Sequence, residues 1–194
     1  MPVISFLLFV FISSFTPGPN NIMAMAMAHR GLRRTVKFSL GVGSGFFIIT
    51  LLCCSFFNLL LASVLPVIEL PLTLLGVGYM LYLAYKISTS KDTGESSDNR
   101  EGNLFLIGAL LQFVNPKGIL FSITLVGTFI VPYYTSYSSY FLLSILLGFT
   151  GFLSTFTWSL FGSILQKVIT RYRRPFNLIM ALLLVYSAFS IVVK

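Results

Sequence analysis

Six long apolar segments, separated by short polar stretches, occupy almost the whole chain. An α-helix needs about 20 apolar residues to cross a bilayer, so the pattern predicts six transmembrane helices with short loops. We therefore predict an all-α membrane protein. The approximate bounds of the segments are 3–28, 38–61, 67–87, 104–131, 139–165 and 175–193.

Two of these segments are interrupted near their middle. Thr16-Pro17-Gly18-Pro19-Asn20-Asn21 breaks the first, and Asn115-Pro116-Lys117-Gly118 breaks the fourth. Proline, glycine and asparagine are poor helix-interior residues, and a broken helix in a bilayer leaves backbone N–H and C=O groups without water. Such a break is tolerated only where it is buried in protein or lines a wet cavity. We therefore predict that both interruptions face a site and not lipid.

The only extended polar stretch, residues 89–103, has the composition of a flexible linker. It divides the chain into two halves, 1–88 and 104–194, with three apolar segments each. Because three crossings is an odd number, the second half starts from the opposite side of the membrane. Matching interruptions in two oppositely oriented halves are typical of an inverted-repeat transporter. We predict a 3+3 inverted repeat whose first and fourth spans are broken near the midplane.

Charge is sparse and lies mainly on one side of the predicted membrane. Only 9% of residues are charged and 56% are hydrophobic, which excludes an ordinary soluble domain. Of the 13 Lys and Arg residues, 11 lie in the loops after segments 1, 3 and 5, and the positive-inside rule places these loops in the cytoplasm with both termini outside. This asymmetry accounts for the net charge of +8 without a nucleic-acid partner. The 11 residues are Arg30, Arg33, Arg34, Lys37, Lys86, Lys91, Arg100, Lys167, Arg171, Arg173 and Arg174.

The chemistry of the two interruptions predicts a site for a small zwitterion. One half-helix can begin at Pro19 or Asn20, and another at Pro116 after Asn115 as N-cap. Two helix N-termini then converge, and their free N–H groups favour an anion such as a carboxylate. Lys117 adds a full positive charge, and the asparagines suit an ammonium or hydroxyl group of the same solute. The predicted substrate-binding residues are Thr16, Pro17, Gly18, Pro19, Asn20, Asn21, Asn115, Pro116, Lys117 and Gly118.

Other residues leave alternatives open. Glu69 is the only carboxylate outside the polar linker, and either proton coupling or simple interfacial exposure would explain it. Cys53 and Cys54 are adjacent in an apolar segment, so we expect small buried side chains and no disulfide. No midspan His, Asp/Glu pair or metal-ligand spacing occurs, so we predict neither an enzyme nor a metal site. A passive channel for small solutes is the rival class, the interruptions could be packing kinks alone, and the oligomeric state, a homo-oligomer included, is open.

The interruption motifs carry a family resemblance. Thr16-Pro17-Gly18-Pro19-Asn20-Asn21 and Asn115-Pro116-Lys117 resemble the lysine exporter / homoserine-threonine resistance (LysE/RhtB) family, and the likeness extends over the whole chain in length, span layout and linker. Three further stretches are similar to its branch that exports cysteine and O-acetylserine, namely Gln112-Phe113-Val114-Asn115, Thr128-Phe129-Ile130-Val131-Pro132 and Ala181-Leu182-Leu183-Leu184-Val185-Tyr186.

This resemblance implies a bacterial inner-membrane exporter of small amino acids, driven by the proton gradient, with no enzymatic step and no bound cofactor. Cysteine and O-acetylserine are the substrates that it suggests first. Homoserine, threonine or a basic amino acid are the alternatives within the family. A basic substrate is disfavoured because the predicted site contains no acidic side chain.

Overall fold

The computed structural model describes residues 1–28, 31–57, 65–89, 103–165 and 171–192. This part of the chain contains eight α-helices and no β-strand, as the apolar pattern predicts. A π-helical turn, Val126–Ile130, continues the sixth helix. The helices are α1 (Val3–Phe15), α2 (Pro19–Met27), α3 (Leu32–Ser55), α4 (Leu65–Ser88), α5 (Leu104–Val114), α6 (Pro116–Leu125), α7 (Tyr137–Ile164) and α8 (Arg173–Val192).

Both predicted interruptions separate two helices. The axis bends by 51° between α1 and α2 and by 65° between α5 and α6. In each case a proline, Pro19 or Pro116, stands in the first turn of the second helix, where its missing N–H costs nothing. Within the described residues, α3 and α7 are each long and apolar enough to cross a membrane, and the two bent pairs raise that number to four.

Both boundaries of the second apolar segment differ from the prediction, since α3 ends at Ser55 and not near residue 61. The second apolar segment was expected to begin near residue 38, after a basic loop, but α3 already begins at Leu32. Arg33, Arg34 and Lys37 therefore lie exposed on its first turns. Arginine and lysine are good helix formers, and their long stems carry the charge away from an apolar helix body. Gly31, with φ of 102°, makes the turn that precedes the helix.

The helices expose apolar side chains and bury small polar ones. On α1, for example, Ile4 is 76% exposed, and similar side chains cover the outer faces of α5, α7 and α8. A surface of this kind suits lipid, where apolar side chains need no burial. The buried polar residues lie mainly on α3 and α7 and include Thr35, Ser39, Thr50, Ser144, Ser154, Thr155 and Ser159.

Helix α3 is the centre of the bundle because it packs closely against both α5 and α7. Glycines make these approaches close. A Cβ atom on Gly43 would lie 2.7 Å from the Gly148 carbonyl oxygen of α7, and one on Gly148 would lie 2.8 Å from the Gly43 carbonyl oxygen. A Cβ on Gly41 would likewise collide with the Phe105 carbonyl of α5. Small residues let helix backbones approach one another, which is how helices associate in membranes.

A buried apolar cluster fills one end of the bundle. At this end, the start of α1 meets the end of α3, the π-helical turn and the first half of α7, and both cysteines are buried there without a disulfide, as expected. Phenylalanine rings continue this cluster toward the middle of the bundle. Their centroid separations are 5.9 Å for Phe6–Phe129, 5.7 Å for Phe9–Phe129, 5.3 Å for Phe9–Phe121 and 5.5 Å for Phe46–Phe121.

The glycine contacts yield a prediction about stability. Gly43→Ala forces a methyl group against the backbone of α7, so we expect the free energy of unfolding to fall by about 1–3 kcal/mol. Gly78→Ala in α4 is the matched control, since a Cβ there meets nothing within 4 Å, and alanine's higher helix propensity favours the folded protein. Unfolding of the purified variants in detergent measures the free energy of unfolding of each. Equal stability of the two variants would contradict the close α3–α7 contact.

Candidate functional site

A cavity of about 60 Å³ lies where the two interruptions meet. A buried water needs roughly 10–15 Å³, so the cavity has room for about four to six water-sized groups. Its walls come from both sides of the polar linker. They comprise Ser13, Ser14, Gly18, Pro19, Asn20, Asn21, Val42 and Phe46 before the linker, and Asn115, Lys117, Gly118, Phe121, Gly151, Ser154 and Thr155 after it.

Most of the predicted site residues are brought together here. Seven of the ten line the cavity, namely Gly18, Pro19, Asn20, Asn21, Asn115, Lys117 and Gly118. Thr16 and Pro17 lie behind the wall and contact Lys117, and Pro116 is buried at the start of α6. The two interruptions touch directly, because a Cβ on Gly18 would lie 3.2 Å from Lys117 Nζ.

The first interruption leaves backbone carbonyls without helical partners, and α2 and α7 supply donors for two of them. Asn21 Nδ2 donates to the Ser14 carbonyl at 2.9 Å and to the Thr16 carbonyl at 3.0 Å. Ser154 Oγ of α7 donates to the Ser14 carbonyl at 2.6 Å. The side chain of Asn21, which lies in the same broken span, thus caps the carbonyls at the end of α1.

The other two carbonyls are held by residues far along the chain. Trp158 Nε1 of α7 donates to the Phe15 carbonyl at 3.1 Å. The Pro17 carbonyl accepts from Ser187 Oγ of α8 at 3.1 Å and from Lys117 Nζ at 3.2 Å. Every carbonyl from residue 14 to residue 17 therefore has a donor within the protein, although Thr16 itself is exposed. Satisfied carbonyls are the condition for an unwound helix at membrane depth.

Lys117 reaches from the second interruption to the first. Its ammonium donates to Thr16 Oγ1 at 3.1 Å and to the Thr16 and Pro17 carbonyls at 3.4 and 3.2 Å. These groups lie just past the C-terminal end of α1, where a helix carries partial negative charge. The ammonium therefore stabilises the unwound carbonyls directly, while its side chain also forms part of the cavity wall.

Asn20 is paired with a residue that the interruption motifs do not contain. Its Nδ2 donates to Gln112 Oε1 at 2.8 Å, and Gln112 Nε2 donates back to Asn20 Oδ1 at 3.2 Å. Gln112 lies in the last turn of α5 and is fully buried. It is the only polar side chain in α5, and this is the sequence signal that could have identified it.

Asn115 occupies the predicted N-cap position of α6, but its side chain makes no capping hydrogen bond. Its Oδ1 is buried and has no hydrogen-bond partner among the described residues. Gly18 begins α2 in the same uncapped way. The cavity wall therefore combines two helix N-termini, whose first-turn N–H groups no side chain covers, with one unpaired acceptor.

Glu69 falls within α4, but its side chain lies outside the described residues. Among the residues whose positions are described, no group of His, Cys, Asp or Glu could hold a metal ion.

Comparison with known proteins decides the family. The family model for the LysE type translocator matches residues 11–194. The chain belongs to the LysE type translocator family. As a member of a translocator family it is a multi-pass membrane transport protein and not an enzyme.

Individual relatives of this LysE type translocator are similar over nearly their full length. It is 38% identical over 189 residues to the cysteine/O-acetylserine efflux protein of Salmonella typhimurium strain LT2, covering 96% of this chain and 95% of that protein. It is 36% identical over 188 residues, with the same coverage, to the cysteine/O-acetylserine efflux protein of Escherichia coli strain K12. No solved structure shows a significant match.

The carbonyl contacts yield a prediction about Trp158. Trp158→Phe keeps an aromatic ring but removes the donor to the Phe15 carbonyl. We therefore expect the free energy of unfolding to fall by about 1–3 kcal/mol. Thr157→Val is the matched control, because the Thr157 hydroxyl only duplicates a helical contact to the Leu153 carbonyl. Thermal unfolding in detergent compares the two variants. A Trp158→Phe protein as stable as the control would show that the Phe15 carbonyl does not depend on this donor.

Proposed function

We propose that this LysE type translocator exports small neutral amino acids, with cysteine and O-acetylserine as its main substrates, from the bacterial cytoplasm across the inner membrane. The observation that carries the proposal is the cavity of about 60 Å³ between two helix N-termini. The names of the relatives, which match nearly the whole chain, support these substrates.

The two ends of an amino acid have complementary partners in the cavity. The carboxylate lies against the first-turn N–H groups of α2 and α6, where the helix dipoles favour negative charge. The ammonium donates to Asn115 Oδ1, which otherwise is a buried acceptor without a partner. An unpaired buried acceptor costs about 1–3 kcal/mol, so a bound ammonium removes that cost. The positive charge of Lys117 adds to the attraction for the carboxylate.

The cavity wall also favours a neutral substrate side chain. None of the described residues that line it is acidic, so a lysine or arginine side chain would find no counter-charge. Phe46, Phe121 and Val42 supply an apolar surface of the kind that a short thiol or acetyl group can contact. Homoserine and threonine are similar in size, so the transport assay must compare them with cysteine and O-acetylserine.

The architecture that we propose for transport is six spans in two inverted halves, 1–88 and 104–194, joined by the linker 89–103. The presence of a similar bend in the first span of each half supports this arrangement. Apart from Lys117 in the cavity wall, the described cations lie at the start of α3, the end of α4 and the start of α8, which favours a cytoplasmic location for these ends and an external location for both termini. Alternating access follows if one half rocks against the other around the cavity.

Export against a concentration gradient needs an energy source, and we propose the proton gradient. Glu69 is the only carboxylate outside the linker, so it is the candidate for proton coupling. This role is independent of the cavity geometry and can be tested by itself with Glu69→Gln.

The central test is counterflow in proteoliposomes loaded with unlabelled amino acid. We expect saturable uptake of labelled cysteine and O-acetylserine that requires the protein. Lys117→Met and Asn115→Leu keep side-chain volume but remove the ammonium and the amide, so we expect each to reduce the initial rate at least about tenfold. Thr157→Val, whose residue lies outside the cavity wall, should retain the rate of the unmodified protein.

Each result has a distinct meaning once detergent unfolding confirms that the variants are folded. No counterflow with either amino acid would refute the substrate assignment, and preference for threonine or homoserine would reassign it within the family. Flux that never saturates would indicate a channel. Normal counterflow in both cavity variants would move the binding site elsewhere.

A further inference from the structure

Each of the two broken spans forms hydrogen bonds to the other. In both, a proline begins the second half-helix and the residue that follows it reaches across to the other span. Lys117, after Pro116, binds the carbonyls beyond the end of α1. Asn20, after Pro19, binds Gln112 in the last turn of α5. The hydrogen bonds of Lys117 belong to the site already described. The amide pair adds Gln112, a residue that does not line the cavity.

The amide of Gln112 is fully used within the protein. Its Oε1 accepts from Asn20 Nδ2, and its two Nε2 hydrogens go to Asn20 Oδ1 and to the Gly108 carbonyl at 3.0 Å. It does not line the cavity. Gln112 therefore has no donor left for a substrate, and its effect on the cavity must pass through Asn20, which does line it.

Neighbouring glycines leave space for this side chain. A Cβ on Gly45 of α3 would lie 2.8 Å from Gln112 Cγ, and a Cβ on Gly118 would lie 3.6 Å from Gln112 Oε1. The close approach of Gly45 and the three hydrogen bonds of the amide hold the Gln112 side chain and the direction of its amide. Side chains that are held in this way keep the groups they contact in a fixed geometry.

We infer that Gln112 is a positioning residue for the substrate site, because its amide pair with Asn20 fixes the N-terminus of α2 relative to the end of α5 and hence to the N-terminus of α6. The inference rests on the proposed export of small amino acids. If it holds, the spacing of the two N-termini, and with it the affinity for a carboxylate, depends on a residue that never touches the substrate.

A double-mutant cycle tests this. Gln112→Met and Asn20→Leu each remove one amide at nearly constant volume, and the double variant replaces the pair with two apolar side chains. Counterflow in proteoliposomes gives KM and maximal rate per folded protein. We expect Gln112→Met to raise KM for cysteine about tenfold. The double variant should raise KM no further than the larger single change, because both substitutions break the same contact.

Thr157→Val is the control, because Thr157 lies outside both the cavity wall and the amide pair, and its hydroxyl contacts only the Leu153 carbonyl. We expect its KM to stay within about threefold of the unmodified protein.

Contrary results are separable. Unchanged KM in Gln112→Met, with only the amount of folded protein or the maximal rate reduced, would show a structural role and overturn the inference. KM effects that multiply in the double variant would show that the two residues act independently and would also overturn it. If the unmodified protein gives no counterflow with small amino acids, the proposed function itself fails. The unmodified protein alone shows this result, so it is distinct from a failure of the inference about Gln112.

Discussion

The structure depends on satisfying four backbone carbonyls, those of residues 14 to 17, where the chain is interrupted between α1 and α2. A helix that stops inside a bilayer leaves these groups unpaired, at a cost of several kcal/mol for each one that remains so. Here the donors come from α2, α6, α7 and α8. The broken span therefore requires the rest of the bundle to assemble around it, and the α3 glycine contacts provide the packing that makes the assembly close.

The functional site follows from the same constraint. The carbonyl side of the first break is covered by protein, whereas the opposite side, the N-termini of α2 and α6, is left without capping side chains. The cavity thus lies between carbonyls that protein donors hold and helix N-termini that no side chain caps. In the proposed site, an anionic group suits the two uncapped N-termini, and Asn115 Oδ1 supplies the acceptor that a zwitterion also needs.

Local sequence rules predicted the interruptions and the helix starts that follow them. They did not predict the partners of the interruptions, because those are long-range contacts. Pro19 and Pro116 identified the helix starts because proline is favoured in a first helical turn, and the Pro, Gly and Asn content identified both interruptions. The partners of the interruptions were not predictable in this way. Gln112 is 92 residues from Asn20, and Ser187 is 170 from Pro17, so their meeting depends on how whole helices pack. The start of α3 was misplaced because basic residues can belong to a helix as readily as to a loop.

Ligand competition tests the central claim, a carboxylate-binding site between two helix N-termini, most directly. Purified protein in detergent would be incubated with labelled L-cysteine under reducing conditions, and unlabelled L-cysteine or L-cysteinamide would be added as competitor. Cysteinamide keeps the ammonium and the thiol but replaces the carboxylate with a neutral amide. The account predicts that cysteinamide competes at least about tenfold more weakly, because it lacks the anion that the N-termini bind. Equal competition by the two compounds would contradict it.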